Sequence, residues 1–435
     1  MSTTVSEGSP RASSAEPGAA PQREPKGYTL KYGLASYGLF LAILTPVLGG
    51  LAVKLQHLNP GDLDAATSQL ALVTGVGALF ALVTQPLAGR LSDRTRGAFG
   101  MRRPWILVGV IGAGLSLIGI GLAGSTSLVL ILWCCAQLFS NVAQAAETAT
   151  VPDQVPVHRR GVVSGIVGAC SPLAILTGAV GLAQLPTDAL RFAVPAVIGI
   201  LFGLWFAVTL KDRVADQAPS ERLSVKEFFG SFVFNPRKHP DFGWAWLSKF
   251  LVMFGYASVG TYLVLFLAAK FGMTDTADQT RFNMYANFVS VFFMVLLSVL
   301  GGRMSDRVGK RRVFVAVGGA LVAVGVLLLA VSPSLGHGGG LALVLVGEGF
   351  LGAGAGLFLS VDAALCTQVL PNEEDTAKDL GVLNIANALP QSIAPMLAGP
   401  IIVAVGAAGY SVWFGIGAII AALGGLSVLK IRSVR

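Results

Sequence analysis

The stretch Gly89-Arg90-Leu91-Ser92-Asp93-Arg94 returns as Gly302-Arg303-Met304-Ser305-Asp306-Arg307, and that return decides the fold. From Asp93 to Asp306 the offset is 213. Other features repeat at nearly the same spacing. Glu147 stands nine residues before Pro156 and Asp362 nine before Pro371, an offset of 215 for both members. Lys31 and Lys249 are 218 apart. In a chain of 435 residues this is close to half the length, so two similar halves lie in tandem.

Composition says what the halves are made of. Hydrophobic residues make up 54% and charged residues 12%, against about 25% charged in soluble domains. Too few polar groups remain to cover a water-exposed surface, and the chain is too apolar for bulk disorder. The 54 glycines point to closely packed membrane helices. A spanning helix needs about 20 apolar residues. Twelve stretches qualify: 32–55, 69–89, 104–124, 127–150, 161–184, 190–210, 243–269, 282–302, 313–332, 341–366, 380–405 and 409–430. The expected fold is all-α and integral to the membrane, with twelve transmembrane helices in two pseudo-symmetric six-helix halves, 27–210 and 243–435. A polar tail (1–26) and a central loop (211–242) complete the chain. No stretch is left for a soluble catalytic domain. No nucleophile–base pair or metal cluster is visible, so no enzyme and no cofactor is expected.

Basic residues orient the bundle. Arg90, Arg94, Arg96, Arg102 and Arg103 follow the second helix, and Arg303, Arg307, Lys310, Arg311 and Arg312 follow the eighth. The central loop and the C-terminus add more. The opposite side has only Lys54, Arg191, Lys270 and Arg281. Cytoplasmic loops collect positive charge, so both termini are expected in the cytoplasm and the protein in the cytoplasmic membrane. The charge lies in short loops beside spans, so it reads as topology and no nucleic-acid partner is expected. The tail has no apolar core and reads as disordered, not as a signal peptide. Cys134, Cys135, Cys170 and Cys366 lie in apolar stretches and read as buried small hydrophobes. The four histidines fall in expected loops.

With GRLSDRTRG at 89–97 and GRMSDRVGKRR at 302–312, the chain resembles the major facilitator superfamily from about residue 30 to 430. The segment Phe99-Gly100-Met101-Arg102-Arg103-Pro104-Trp105 is similar to one found in sucrose and other glycoside porters, of the glycoside-pentoside-hexuronide kind. Met101 stands where arginine is common. The resemblance implies that Asp93 and Arg94, and Asp306 and Arg307, lock the cytoplasmic helix ends when the protein faces outward. A short loop with one acid and several arginines can make charge-assisted hydrogen bonds to helix ends. The run Glu373, Glu374, Asp375 and Asp379 lies on the same side as the arginines after helix 2. Salt bridges between Glu373, Glu374 and that cluster would close this side; a solvated acidic loop is the alternative.

Three carboxylates lie within expected spans: Glu147, Glu348 and Asp362. An acid at membrane depth is costly and marks a functional position by default. Glu147 and Asp362 sit near the cytoplasmic third, where gate salt bridges to the signature arginines compete with proton or substrate binding. Glu348 has no basic residue near it in its helix. It either binds a proton or pairs with a residue elsewhere. Lys249 follows Trp244 and Trp246, so it is expected to snorkel to the surface. Polar side chains that could line a cavity are Tyr37, Gln137, Asn141, Tyr256, Asn287, Asn384, Asn387 and Gln391. Neutral hydrogen-bonding groups with aromatic faces suit a polyol; hydrogen bonds between helices are the plainer reading. Pro390, Pro395 and Pro400 should bend helix 11.

No GxxxxGK[ST] loop is present, so ATP drive is not expected. The sodium-coupled melibiose-type relatives place an acid inside helix 2, and the span 69–88 has none. The expected function is a proton-coupled secondary transporter for a small solute such as a sugar or glycoside, working as a monomer in the lipid bilayer. Export of a drug or natural product is the alternative. A non-transporting sensor would carry a signalling domain, and none is seen.

Overall fold

A computed structural model describes residues 24–96, 99–212, 238–369 and 376–432. Among these, helices follow one another with short connections. We number them α1 (Tyr28–Leu58), α2 (Leu63–Arg94), α3 (Arg103–Leu122), α4 (Thr126–Gln154), α5 (Arg160–Gln184) and α6 (Asp188–Thr209). The second set is α7 (Pro240–Gly260, continued by Leu263–Phe271), α8 (Thr276–Val308), α9 (Arg311–Val331), α10 (Gly336–Gln368), α11 (Thr376–Val405) and α12 (Gly409–Ser427). All are apolar enough to cross a bilayer, alone or together with the helix adjoining them. Residues 1–23 of the tail expected to be disordered and most of the central loop lie outside the described residues.

Short polar turns start the even helices of the first half. Asp62 accepts from Ala65 N at 2.8 Å, Ser125 from Leu128 N at 3.4 Å and Thr187 from Leu190 N at 3.3 Å. Each satisfies one of the open N–H groups of a helix start. At the other end the helices run further than hydropathy alone suggests. Gly89–Arg94 and Gly302–Arg307, read as connectors, are the last turns of α2 and α8. Their arginines, with Leu91 and Met304, are competent helix formers, and long arginine side chains can reach water from a helix end.

Packing repeats from one half to the other. In the first half α1 packs on α5 and α6, α2 on α4, and α3 on α4 and α6. In the second, α7 packs on α11 and α12, α8 on α10, and α9 on α10 and α12. Adding six to each label converts one list into the other. Across the halves, α2 meets α11 and α5 meets α8, which are again equivalent pairs. Glycines permit the close approaches. A Cβ on Gly38 would meet Gly199 Cα at 3.0 Å, and one on Gly255 would meet Gly417 O at 2.8 Å. The glycine run of α10 serves the same end: Gly352 lies against the Ser290 backbone of α8, and Gly354 against Val322 N of α9.

Contacts between the halves concentrate at the end remote from the arginines. Asn283 of α8 donates to Leu48 O of α1 at 3.0 Å. The hydroxyls of Thr67 (α2) and Tyr410 (α12) are 2.9 Å apart. A Cβ on Gly399 of α11 would meet Thr67 O at 2.9 Å. At the arginine-rich end, a Cβ on Gly161, Gly165 or Gly168 of α5 would meet nothing within 4 Å. The bundle is therefore shut at one end and loosely packed along α5 at the basic end.

Replacing Gly38 or Gly255 by valine is expected to destabilise the bundle by about 1–3 kcal/mol, the usual cost of overpacking. Gly165→Val is expected to be within about 0.5 kcal/mol of the parent. Thermal unfolding of the purified variants checks the contrast.

Candidate functional site

Two spans that face one another are broken at equivalent depths. In α1 a π-helical turn, Pro46–Gly50, interrupts the helix, and Gly49 adopts φ 150°. In α7 the helix bends by 54° between Gly260 and Leu263. Interrupted helices at corresponding positions of two repeats frame transport sites, because unwound backbone there can face a solute. A Cβ on Gly49 would meet Val264 Cγ2 of α7 at 3.0 Å and Asn283 Nδ2 of α8 at 3.3 Å, so the break lies at the seam of the halves. The sequence cue for this break is Pro46 followed by Gly49-Gly50.

The three span acids have different surroundings. Asp362 is 2% exposed and lies 2.9 Å from Lys249 Nζ, with Cys366 Sγ 3.6 Å away. Its partner is therefore Lys249 of α7, not a signature arginine. Lys249 does not snorkel; its side chain is largely buried against Asp362. Glu147 is equally buried, but among the described residues no cation pairs with it and its Oε1 has no hydrogen-bond partner. Tyr28 and Tyr32 of α1 face it, and the Tyr28 hydroxyl is 2.6 Å from Thr150 Oγ1. Glu348 is also buried, facing Ser290 of α8 and Tyr256 of α7, and no cation among the described residues pairs with it.

The register explains the difference. Gly38 and Gly255, which play the same packing role, are 217 apart. The same shift puts Lys249 at the place of Tyr32, not Lys31. Lys31 instead lies over the Trp205 ring, 6.0 Å from its centroid. Equivalent sites thus hold Lys249–Asp362 in one half and Tyr32 beside Glu147 in the other.

At the basic end the first signature segment is tied by Arg102, read in the sequence for its charge and as part of the 99–105 segment. Arg102, 5% exposed, pairs with Asp93 at 2.5 Å and with Asp153 at 3.1 Å, and donates to Ser92 Oγ at 2.6 Å. This joins the ends of α2 and α4 to the start of α3. Asp212 Oδ2 accepts from the backbone N–H groups of Arg102 and Arg103, at 2.7 and 2.8 Å, and so caps α3. In the second half Asp306 pairs more loosely with Arg311, at 3.6 Å, and Arg307 is exposed. Arg94 ends α2 and makes contacts of its own. Glu373 and Glu374 lie outside the described residues.

The polar side chains divide. Asn141, Asn287 and Gln391 each donate to a carbonyl of their own helix, Gln137 O, Asn283 O and Asn387 O, at 2.7, 2.8 and 3.2 Å. These bonds lie within one helix and leave the amide oxygens as acceptors. Tyr37 donates to Thr177 Oγ1 of α5 at 2.9 Å. Asn384 sits on α11, and its side chain lies outside the described set.

The Major Facilitator Superfamily model matches residues 30–290 and 245–434. The chain belongs to this superfamily. Multidrug resistance protein 2 of Bacillus subtilis is 24% identical over 278 residues, 63% of this chain and 65% of that protein. The lactose permease of Lactobacillus helveticus is 25% identical over 277 residues, 56% of this chain and 41% of its own length. The chain thus spans less than two thirds of each. A D-xylose-proton symporter structure superposes with a TM-score of 0.70 at 16% identity, covering 93% of this chain and 97% of that one. That likeness concerns the fold.

Lys249→Met is expected to destabilise the bundle by about 3–5 kcal/mol, since it strands a buried carboxylate. Adding Asp362→Leu should recover most of the loss. Thermal unfolding of the single and double variants measures the coupling.

Proposed function

We propose that the chain is a proton-coupled secondary transporter that moves a small polar solute, such as a sugar or glycoside, across the cell membrane by alternating access. The supporting observation is the matching of charge within the spans. Asp362 is neutralised by Lys249, whereas Glu147 and Glu348 have no cationic partner among the described residues. A carboxylate alone in a low-dielectric interior is costly; taking up a proton removes the charge. Glu348 faces the Tyr256 side of α7, below the broken segment, and is the coupling residue of this reading. Glu147 is the second. Asp362, buried like the other two, serves the gate through Lys249.

The gate of this reading is the Arg102 cluster with Asp93 and Asp153, with Arg94 beside it, and its looser counterpart at Asp306, Arg307 and Arg311. The basic end faces the cytoplasm because arginine-rich ends are retained there. Residues 27–210 and 243–435 rock as units about the seam, within one monomer, and Glu373 and Glu374 of the acidic connector join the closed state. The solute is recognised by amide and phenol groups: Tyr37, Gln137 and Asn141 from one half, and Tyr256, Asn287, Asn384, Asn387 and Gln391 from the other. The glycoside-porter-like segment 99–105 and the lactose permease relative support a sugar. Export of a cationic drug is the second reading. It is favoured by a carboxylate set beside Tyr256, with Phe293 packed against the adjacent Gly349, and by the multidrug resistance relative.

Proteoliposomes with an imposed pH gradient test the proposal. Disaccharide accumulation should follow the gradient and ignore sodium. Glu348→Gln should abolish gradient-driven accumulation, by at least tenfold, while solute exchange at equal pH persists. Uptake that depends on sodium and ignores pH overturns the coupling. Gradient-driven movement of cationic drugs but not of sugars selects the second reading.

A further inference from the structure

His57, read from the sequence as one of four scattered loop histidines, lies in the last turn of α1 at the closed end of the bundle. Its Nδ1 is 3.1 and 3.0 Å from the two carboxylate oxygens of Asp188, the first residue of α6. Its Nε2 is 2.9 Å from Thr276 Oγ1, the first residue of α8. A carboxylate only accepts, so Nδ1 carries the donated proton. With a neutral ring, Nε2 accepts from the Thr276 hydroxyl. With a charged ring, it donates to the hydroxyl oxygen. The bridge forms in both states.

Asp188 is itself anchored. Lys54 Nζ is 3.7 Å and Arg191 Nη1 3.5 Å from its carboxylate. Both cations are also tied to helix ends. Lys54 donates to Gly121 O at 2.9 Å, in the last turn of α3. Arg191 Nε donates to Leu182 O and Leu185 O at 3.2 and 3.0 Å, where α5 finishes. Such carbonyls are the unpaired acceptors of a helix C-terminus, which favour cations. Lys54, Asp188 and Arg191 thus collect α1, α3, α5 and α6 into one rigid block. The side chains of Lys54 and Arg191 are 8% and 6% exposed, against 42% for His57. The block presents a single half-exposed imidazole to the other half.

We infer that His57 is the latch of the closed end: it holds the first half to Thr276 of the second, and this bond must break for the end to open. The arrangement suits a part that cycles. The charges that would be costly to uncover stay within one half, and from this block only the His57–Thr276 hydrogen bond crosses, beside the Asn283–Leu48 and Thr67–Tyr410 bonds elsewhere on the seam. One net hydrogen bond shifts an equilibrium by about three- to tenfold, enough to bias a gate without freezing it. His57 is a positioning residue, acting through the geometry of α1 and α8.

The test is a labelling rate. Leu48 packs against Gly260 of the other half, its Cδ2 3.6 Å from where a Cβ on Gly260 would stand. Leu48→Cys, in a background with Cys134, Cys135, Cys170 and Cys366 replaced by alanine, reports opening by the reaction of its thiol with a bulky maleimide in purified protein. Thr276→Val and His57→Ala should each raise the rate about three- to tenfold. Thr276→Ser, which keeps the hydroxyl, should match the parent. The double variant should equal the singles, since each removes the same bond across the seam. An unchanged rate in Thr276→Val, or additive rates in the double variant, overturns the latch. Thr276→Val against Thr276→Ser decides the matter even if His57→Ala fails to fold. The readout is independent of which solute or ion is carried.

Discussion

A charge buried in a bilayer protein must have a partner or must be able to disappear, and the structure depends on that constraint. Most buried charges obey it by pairing. Arg102 is matched by Asp93 and Asp153, Lys249 by Asp362, and Asp188 by Lys54 and Arg191. Each set ties helices of one half together. None of these named pairs spans the seam, so the halves can part without stripping a counter-ion from its partner. What crosses the seam is weaker: hydroxyl and amide hydrogen bonds and glycine contacts.

The two halves repeat in packing but differ in charge. The helix pairings of one half map onto the other, and Gly38–Gly199 is matched by Gly255–Gly417. At equivalent depth, however, one half has a lysine–aspartate pair and the other a tyrosine facing a glutamate. A repeat built from one template has kept its backbone and diverged where charge enters the membrane. Glu147 and Glu348, which pair with no cation among the described residues, are the groups proposed to respond to a proton. The paired Asp362 is held.

Much of this was legible in the sequence, for physical reasons. Twelve apolar stretches appear because a spanning helix cannot be polar, and the tandem GRLSDR and GRMSDR segments mark the repeat directly. The isolated carboxylates stand out against so few charges. Partners were not legible. Lys249 lies more than one hundred residues from Asp362 and seemed destined for the surface beside Trp244 and Trp246. Arg102 was counted with the topology-setting arginines, though its neighbours Asp93 and Asp153 are on two other helices. His57 looked like a loop residue because the first apolar stretch ends at 55 while the helix runs to Leu58, and its partners, Asp188 and Thr276, open distant helices. Pairing across helices depends on register, and a single shift, from 218 to 217, exchanged Lys31 for Tyr32 opposite Glu147.

The central claim is that Glu147 and Glu348 exchange protons while Asp362 stays ionised against Lys249. Infrared difference spectroscopy of the purified protein across a pH titration tests it most directly, since a protonated carboxyl has its own carbonyl stretch. The account predicts that carboxyl bands appear as pH falls, that Glu147→Gln and Glu348→Gln each remove one, and that Asp362→Asn removes none. Bands that survive both glutamate substitutions, or one that vanishes with Asp362→Asn alone, would contradict it.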